Sequence, residues 1–186
     1  MPLTFPTVLT LMRIVLIPVL VVVFYLPVAA ANEMAVAIFA LAAITDGLDG
    51  WIARRWNMTS SFGAFLDPVA DKLMVAAALL LVVQRNPEIV LALSSAVIIG
   101  REITISALRE WMAELGESGR VRVAWLGKIK TFLQMIAIGF LLYGEPLGAL
   151  PVMAIGRTLL VLAAALTIWS MVAYLKAAWP AVQKQA

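Results

Sequence analysis

Residues 46–71 read DGLDGWIARRWNMTSSFGAFLDPVAD, four aspartates set beside apolar runs long enough to cross a membrane. An uncompensated Asp deep in a bilayer costs about 2.5–3.5 kcal/mol, so four would cost roughly 10 or more. Their spacing points to what cancels that cost. Asp46, Asp49, Gly50 and Ala53 fall at i, i+3, i+4 and i+7, which is one face of a helix. Gly63, Asp67 and Asp71 repeat every fourth residue, again on one face. Solvated loop carboxylates have no need of helical spacing on two successive spans. Divalent cations are the natural counter-charge.

Composition narrows the choice of metal and the class of protein. Of 186 residues, 63% are hydrophobic and 13% charged, and mean hydropathy is +1.00. Average proteins sit nearer 45–50% apolar even with Gly counted, so the chain reads as an integral membrane protein. Cys and His are both absent. That removes disulfides, thiolate metal sites, the commonest zinc ligand and the commonest neutral-pH base. A metal here must be held by oxygen, which favours Mg, Mn or Ca. The net charge is +3, but the cations flank apolar runs and form no nucleic-acid face. A cleavable signal peptide is not expected, because the apolar stretch 8–29 is too long and further spans follow.

Six apolar segments are expected to form helices: 8–29, 34–54, 64–84, 89–112, 124–143 and 150–175. Each is near or above the ~20 residues that span a ~30 Å hydrocarbon core. With no repeat and no long linker, residues 1–186 read as one all-α membrane domain around a polar cavity. Arg13, Arg54, Arg55, Arg120, Arg122, Lys128, Lys130, Lys176 and Lys184 gather toward one side, against only Arg85 near the opposite loops. The positive-inside rule then puts both termini and the mouth of the cavity in the cytoplasm. Trp51, Trp56, Trp111, Trp125 and Trp179 fall near the same membrane edge and suit a belt of interfacial anchors.

Depth gives an independent check on the aspartates. Counted from Met34, Asp46 lies ~18 Å along its helix at 1.5 Å per residue; counted from Gly63, Asp71 lies ~12 Å deep. Antiparallel helices would bring Asp46 level with Asp71 and Asp49 level with Asp67. Pro68 fits if its helix begins only about a turn earlier. Gly47, Gly50, Ala53 and Gly63 strip side chains from the surface beside the carboxylates, leaving room for close packing or a bulky ligand.

The segment resembles the signature of the CDP-alcohol phosphatidyltransferase family: Asp-x-x-Asp-Gly-x-x-Ala-Arg, eight residues, Gly-x-x-x-Asp-x-x-x-Asp. Asp46, Asp49, Gly50, Ala53, Arg54, Gly63, Asp67 and Asp71 meet it without a gap. The resemblance implies six transmembrane helices, a homodimer, and two divalent ions, Mg2+ or Mn2+, held by Asp46, Asp49, Asp67 and Asp71. It implies a CDP-diacylglycerol site at Asp46, Gly50, Ala53, Arg54 and Gly63, with Asp71 as the base that activates the acceptor hydroxyl. The product would be a phospholipid and the leaving group CMP. The stretches TVLTLMRIVLIP at 7–18, GREITISALREWMAELG at 100–116 and WLGKIKTFLQM at 125–135 resemble bacterial members whose acceptor is glycerol 3-phosphate. Thr7 departs from the Asn found in many relatives, a change at a helix cap that hardly touches the chemistry.

A second, anionic substrate needs cations of its own. Arg101 and Arg109 are eight residues apart on one stripe, and Lys128 and Lys130 open the next span. Arg forks and a Lys point charge suit a phosphate such as that of glycerol 3-phosphate. The plainer alternatives are an interhelical ion pair for Arg101 and lipid-headgroup contacts for the lysines, with Arg13 snorkelling or packed against the cavity. Serine, inositol phosphate or phosphatidylglycerol remain alternative acceptors. An ion transporter using the buried carboxylates is the alternative from another class, although no acidic group on the opposite half completes a path.

Overall fold

The structure, a computed structural model, describes residues 5–56, 61–116 and 125–183, with side chains left aside at 5–6, 49–56, 61, 64, 125–128 and 181–182. Six helices follow one another: α1 (Phe5–Phe24), α2 (Ala31–Trp56), α3 (Ser61–Arg85), α4 (Ile89–Glu114), α5 (Trp125–Tyr143) and α6 (Val152–Gln183). Among the described residues there is no strand, only an isolated bridge between Leu147 and Leu150.

Stretches of four helices are long and apolar enough to cross a membrane: Thr7–Phe24, Ala31–Leu48, Ile89–Glu114 and Val152–Pro180. Of the other two, α3 carries Asp67, Asp71 and Lys72 on an otherwise apolar helix, and α5 contributes the shorter apolar stretch Ile129–Tyr143 with Lys130 buried near its start. Large apolar side chains cover the outside: Val15, Leu80, Leu93, Ile103, Phe132 and Trp169 are all exposed. In water such a surface would be an aggregation hazard. Around a bundle of this kind it is the face that meets lipid, and the chain is an all-α, multi-pass membrane protein.

Several element boundaries differ from the sequence reading, most of all the end of α6, which runs on to Gln183 past the expected 175. Helix α1 stops at Phe24 instead of near 29, because Pro27 disfavours helical geometry at the residue before it. Helix α3 begins at Ser61, so Pro68 sits two turns inside it and removes one N–H from the ladder. Neighbouring helices make such interior prolines tolerable in membrane bundles.

The core joins all six helices, with Leu20, Phe39, Leu79, Ile98, Ile138 and Leu160 buried together. Helix α5 packs most extensively on α6, helped by Gly156, where an added Cβ would come within 2.9 Å of the Leu141 side chain. Helix α1 packs on both α2 and α3, which touch each other less than either touches α1. That arrangement decides the site.

The end of the bundle remote from the aspartates is tied by polar contacts. Arg85 donates to the Leu142 carbonyl at 2.8 Å, and its guanidinium lies 3.9 Å from the centre of the Phe24 ring. Asn32 donates to Glu145 at 2.9 Å, and Arg157 pairs with Glu88. Arg157 is therefore a second cation at an end where the sequence reading counted only Arg85. The charge bias between the two ends remains strong.

Candidate functional site

The site is built where α1, α2, α3 and α4 converge. Arg13 is 1% exposed on α1, and one nitrogen of its guanidinium reaches Asp46 Oδ1 on α2 at 2.9 Å and Asp67 Oδ1 on α3 at 3.0 Å. A charge buried this deeply is tolerable only when paired and hydrogen-bonded. Thr7 and Thr10 share its buried surroundings along α1. Gly47, beside Asp46, has no neighbour that an added Cβ would meet, so the helix surface next to the carboxylate is bare.

Arg13 adds a contact that the depth argument did not contain: it bridges Asp46 and Asp67. Asp46 is also the strongest charged neighbour of Asp71, in keeping with the expected level pair, while the side chain of Asp49 lies outside the described residues. Helices α2 and α3 touch each other, but each packs more on α1, which supplies the cation. Asp71 remains close enough to feel the charges of Asp46, Asp67 and Arg13, and it also feels Glu102. It lies between the carboxylate pair and α4.

Asp71 also opens onto a cavity of about 550 Å³ bordered by Lys72, Arg101, Glu102, Arg109 and Glu110. The stripe forecast on α4 is therefore real: Arg101 and Arg109 both face this space. Arg101 is 8% exposed and donates from Nη1 to Glu102 at 3.0 Å, and Nη2 lies 3.5 Å from the Ser170 hydroxyl of α6. Arg109 donates from Nη2 to the Tyr174 hydroxyl at 3.2 Å. Nε of each arginine is buried without a hydrogen-bond acceptor.

Lys130 is held differently from what its sequence position implies. It is 1% exposed and spends its ammonium on Glu102 at 2.5 Å, so it bears on the cavity through that carboxylate and does not line it. Glu102 is thus shared by Arg101 and Lys130, which fixes α4 against α5 beside the cavity. Asp49, Gly50, Ala53 and Arg54 stand on α2 and Lys128 on α5, with side chains outside the described set; Gly63 is half-buried on α3.

Among the described residues no three acidic groups close on a single point as a ready-made metal cage. The donor chemistry nevertheless fits a hard cation. Asp46 and Asp67 already converge on one positive group, Asp71 lies within their field, and every candidate ligand is a carboxylate. Sequence reading missed one residue that matters and left a second without its partners. Arg13 was expected to snorkel or to pack against the cavity; it is buried, and its partners Asp46 and Asp67 were not foreseen. Tyr174 belongs to a polar stripe with Thr167 and Ser170 on an otherwise apolar helix, a signal visible in the chain.

The chain is 54% identical over 173 residues to a CDP-diacylglycerol–glycerol-3-phosphate 3-phosphatidyltransferase of Salmonella choleraesuis, covering 93% of each chain. Identity is 52% over the same length, with the same coverage, to the proteins of that name from Shigella flexneri and Escherichia coli K12. The profile of the CDP-alcohol phosphatidyltransferase family matches residues 3–169, taking in Arg13, all four aspartates and both cavity arginines. The chain belongs to the CDP-alcohol phosphatidyltransferase family, whose members generally depend on divalent metal.

Proposed function

We propose that this protein transfers the phosphatidyl group of CDP-diacylglycerol to sn-glycerol 3-phosphate, giving phosphatidylglycerophosphate and CMP. The observation that carries the reading is one cavity shared by a carboxylate, Asp71, and two arginines, Arg101 and Arg109. It brings a candidate base and candidate phosphate ligands to one space beside the Asp46–Asp67 pair. The names of relatives more than half identical over nearly the whole chain support the same reaction.

In this reading Asp46, Asp49, Asp67 and Asp71 hold two divalent ions, Mg2+ or Mn2+. Those ions supply charge neutralisation for the diphosphate and for the departing CMP. The chain's own residues do the rest. Gly50, Ala53, Arg54 and Gly63 offer a bare, cationic surface for the cytidine diphosphate head while the acyl chains stay in lipid. Arg101 and Arg109 bind the acceptor's phosphate and orient its hydroxyl, with Lys128 and Lys130 adding positive charge nearby. Asp71 takes the hydroxyl proton as the acceptor oxygen bonds to the lipid-bearing phosphorus. The bond from that phosphorus to the CMP oxygen breaks, and CMP leaves with the electron pair. Direct displacement of this kind needs neither a Cys nor a His.

The positive-inside bias supports a site facing the cytoplasm, both termini on that side, and residence in the bacterial inner membrane. The chain acts in this reading as one membrane domain and as a homodimer. Supplying labelled glycerol 3-phosphate, serine, inositol phosphate and phosphatidylglycerol with CDP-diacylglycerol, then separating the lipid products, tests the assignment. Incorporation of glycerol 3-phosphate alone, with CMP release abolished by chelation, is the expected result. Preferential use of another alcohol, or full activity after stringent chelation, overturns it.

A further inference from the structure

We infer that Tyr174 is a positioning residue for the acceptor: its ring and hydroxyl hold Arg101 and Arg109 together against the cavity that Asp71 enters. This rests on the reading of those arginines as phosphate ligands and adds the part played by α6. Tyr174 lies beyond residues 3–169, the stretch matched by the family profile.

The geometry is specific. Tyr174 is 6% exposed and packs with Ile105, Met112 and Ala178 in a small apolar cluster where α4 meets α6. Ile105 is the residue midway between the two arginines on their stripe, so the ring is centred between them along α4. The Arg101 guanidinium lies 5.4 Å and that of Arg109 5.3 Å from the ring centre. Both are within the range at which a cation is attracted by an aromatic ring. The hydroxyl accepts from Arg109 at 3.2 Å, and Ser170, one turn earlier on α6, stands 3.5 Å from Arg101.

Two guanidiniums brought near each other repel, and their long side chains have rotamer freedom to move apart. A single buried ring that attracts both offsets the repulsion and restricts the rotamers. The contacts to α6 and Glu102 occupy terminal nitrogens of both forks, while Nε of each stays buried and unpaired. Both arginines line the cavity, and a phosphate entering it is the group suited to a pair of guanidiniums. Tyr174 therefore holds the fork pair in place before the acceptor arrives, which strengthens acceptor binding without touching the nucleotide-linked lipid.

The test uses the full chain in detergent or bilayer discs, with Tyr174→Phe and Tyr174→Leu beside the unaltered protein. Phe keeps the ring and loses the hydroxyl, so the KM for glycerol 3-phosphate should rise about 3–10-fold; Leu loses both, and a rise of about 10–100-fold is expected. The KM for CDP-diacylglycerol should stay within about twofold in both variants, and the thermal stabilisation given by glycerol 3-phosphate alone should shrink in the same order. An acceptor KM unchanged in both variants, or a parallel change in both KM values, overturns the role. If Tyr174→Leu does not fold, Tyr174→Phe decides alone. Failure of the unaltered protein to use glycerol 3-phosphate is a different result, because it sinks the proposed reaction itself.

Discussion

The two ends of the bundle use charge in opposite ways. At the end remote from the aspartates, Arg85 is committed to an aromatic ring and a backbone carbonyl, and Arg157 to Glu88. These contacts fasten short turns to helix ends, and their worth is structural. At the other end Arg13, Arg101 and Lys130 are almost wholly buried; Arg101 and Lys130 share Glu102, which borders the cavity, and Arg13 holds Asp46 and Asp67 within the field of Asp71. Burying a cation costs far more than leaving it at the surface, and here that cost falls on the helices that carry the chemistry. The lesson is that burial of charge, more than number of charges, marks the working end.

Substitutions at the two ends should therefore fail differently. The largest effect is expected at Asp71. Asp71→Asn preserves shape but removes the proton acceptor, and a loss of about 10²–10⁴-fold in kcat is expected with the melting temperature little changed. Near-normal product formation in a CMP-release assay would remove Asp71 from its role.

Arg13→Gln comes next and sharpens the comparison most. It leaves Asp46 and Asp67 facing each other without their shared cation. Because both carboxylates are about 40% exposed, the loss should be about 1–3 kcal/mol, below the 3–5 of a fully buried pair. Denaturation of the chelated protein measures it, and an unchanged midpoint would show that the bridge contributes nothing to folding.

Arg109→Ala should raise the acceptor KM roughly tenfold or more through loss of one charged contact, with the CDP-diacylglycerol KM nearly unchanged. An unaltered acceptor KM rejects Arg109 as a phosphate ligand. Smallest is Arg157→Gln at the opposite end, whose partly exposed pair with Glu88 should be worth about 0.2–1 kcal/mol and leave turnover untouched. A kinetic defect there would break the distinction between the two ends.

A good part of this was legible in the chain itself. Apolar runs of near-membrane length predicted the six helices, because a bilayer core has one thickness and a helix one rise per residue. Aspartates at helical spacing marked the site, since a carboxylate in lipid demands a partner, and Arg101 and Arg109 shared a face because eight residues span nearly whole turns. What the chain could not declare was which helices touch. Adjacent spans were expected to pool their acids, and α1 joined them by bringing Arg13 to Asp46 and Asp67. Lys130 turned to Glu102, and Tyr174 closed on two arginines about 65–73 residues earlier in the chain. Periodicity along one helix follows from local backbone geometry; pairing between helices follows from side-chain packing across the whole bundle, and only the tertiary structure decides it.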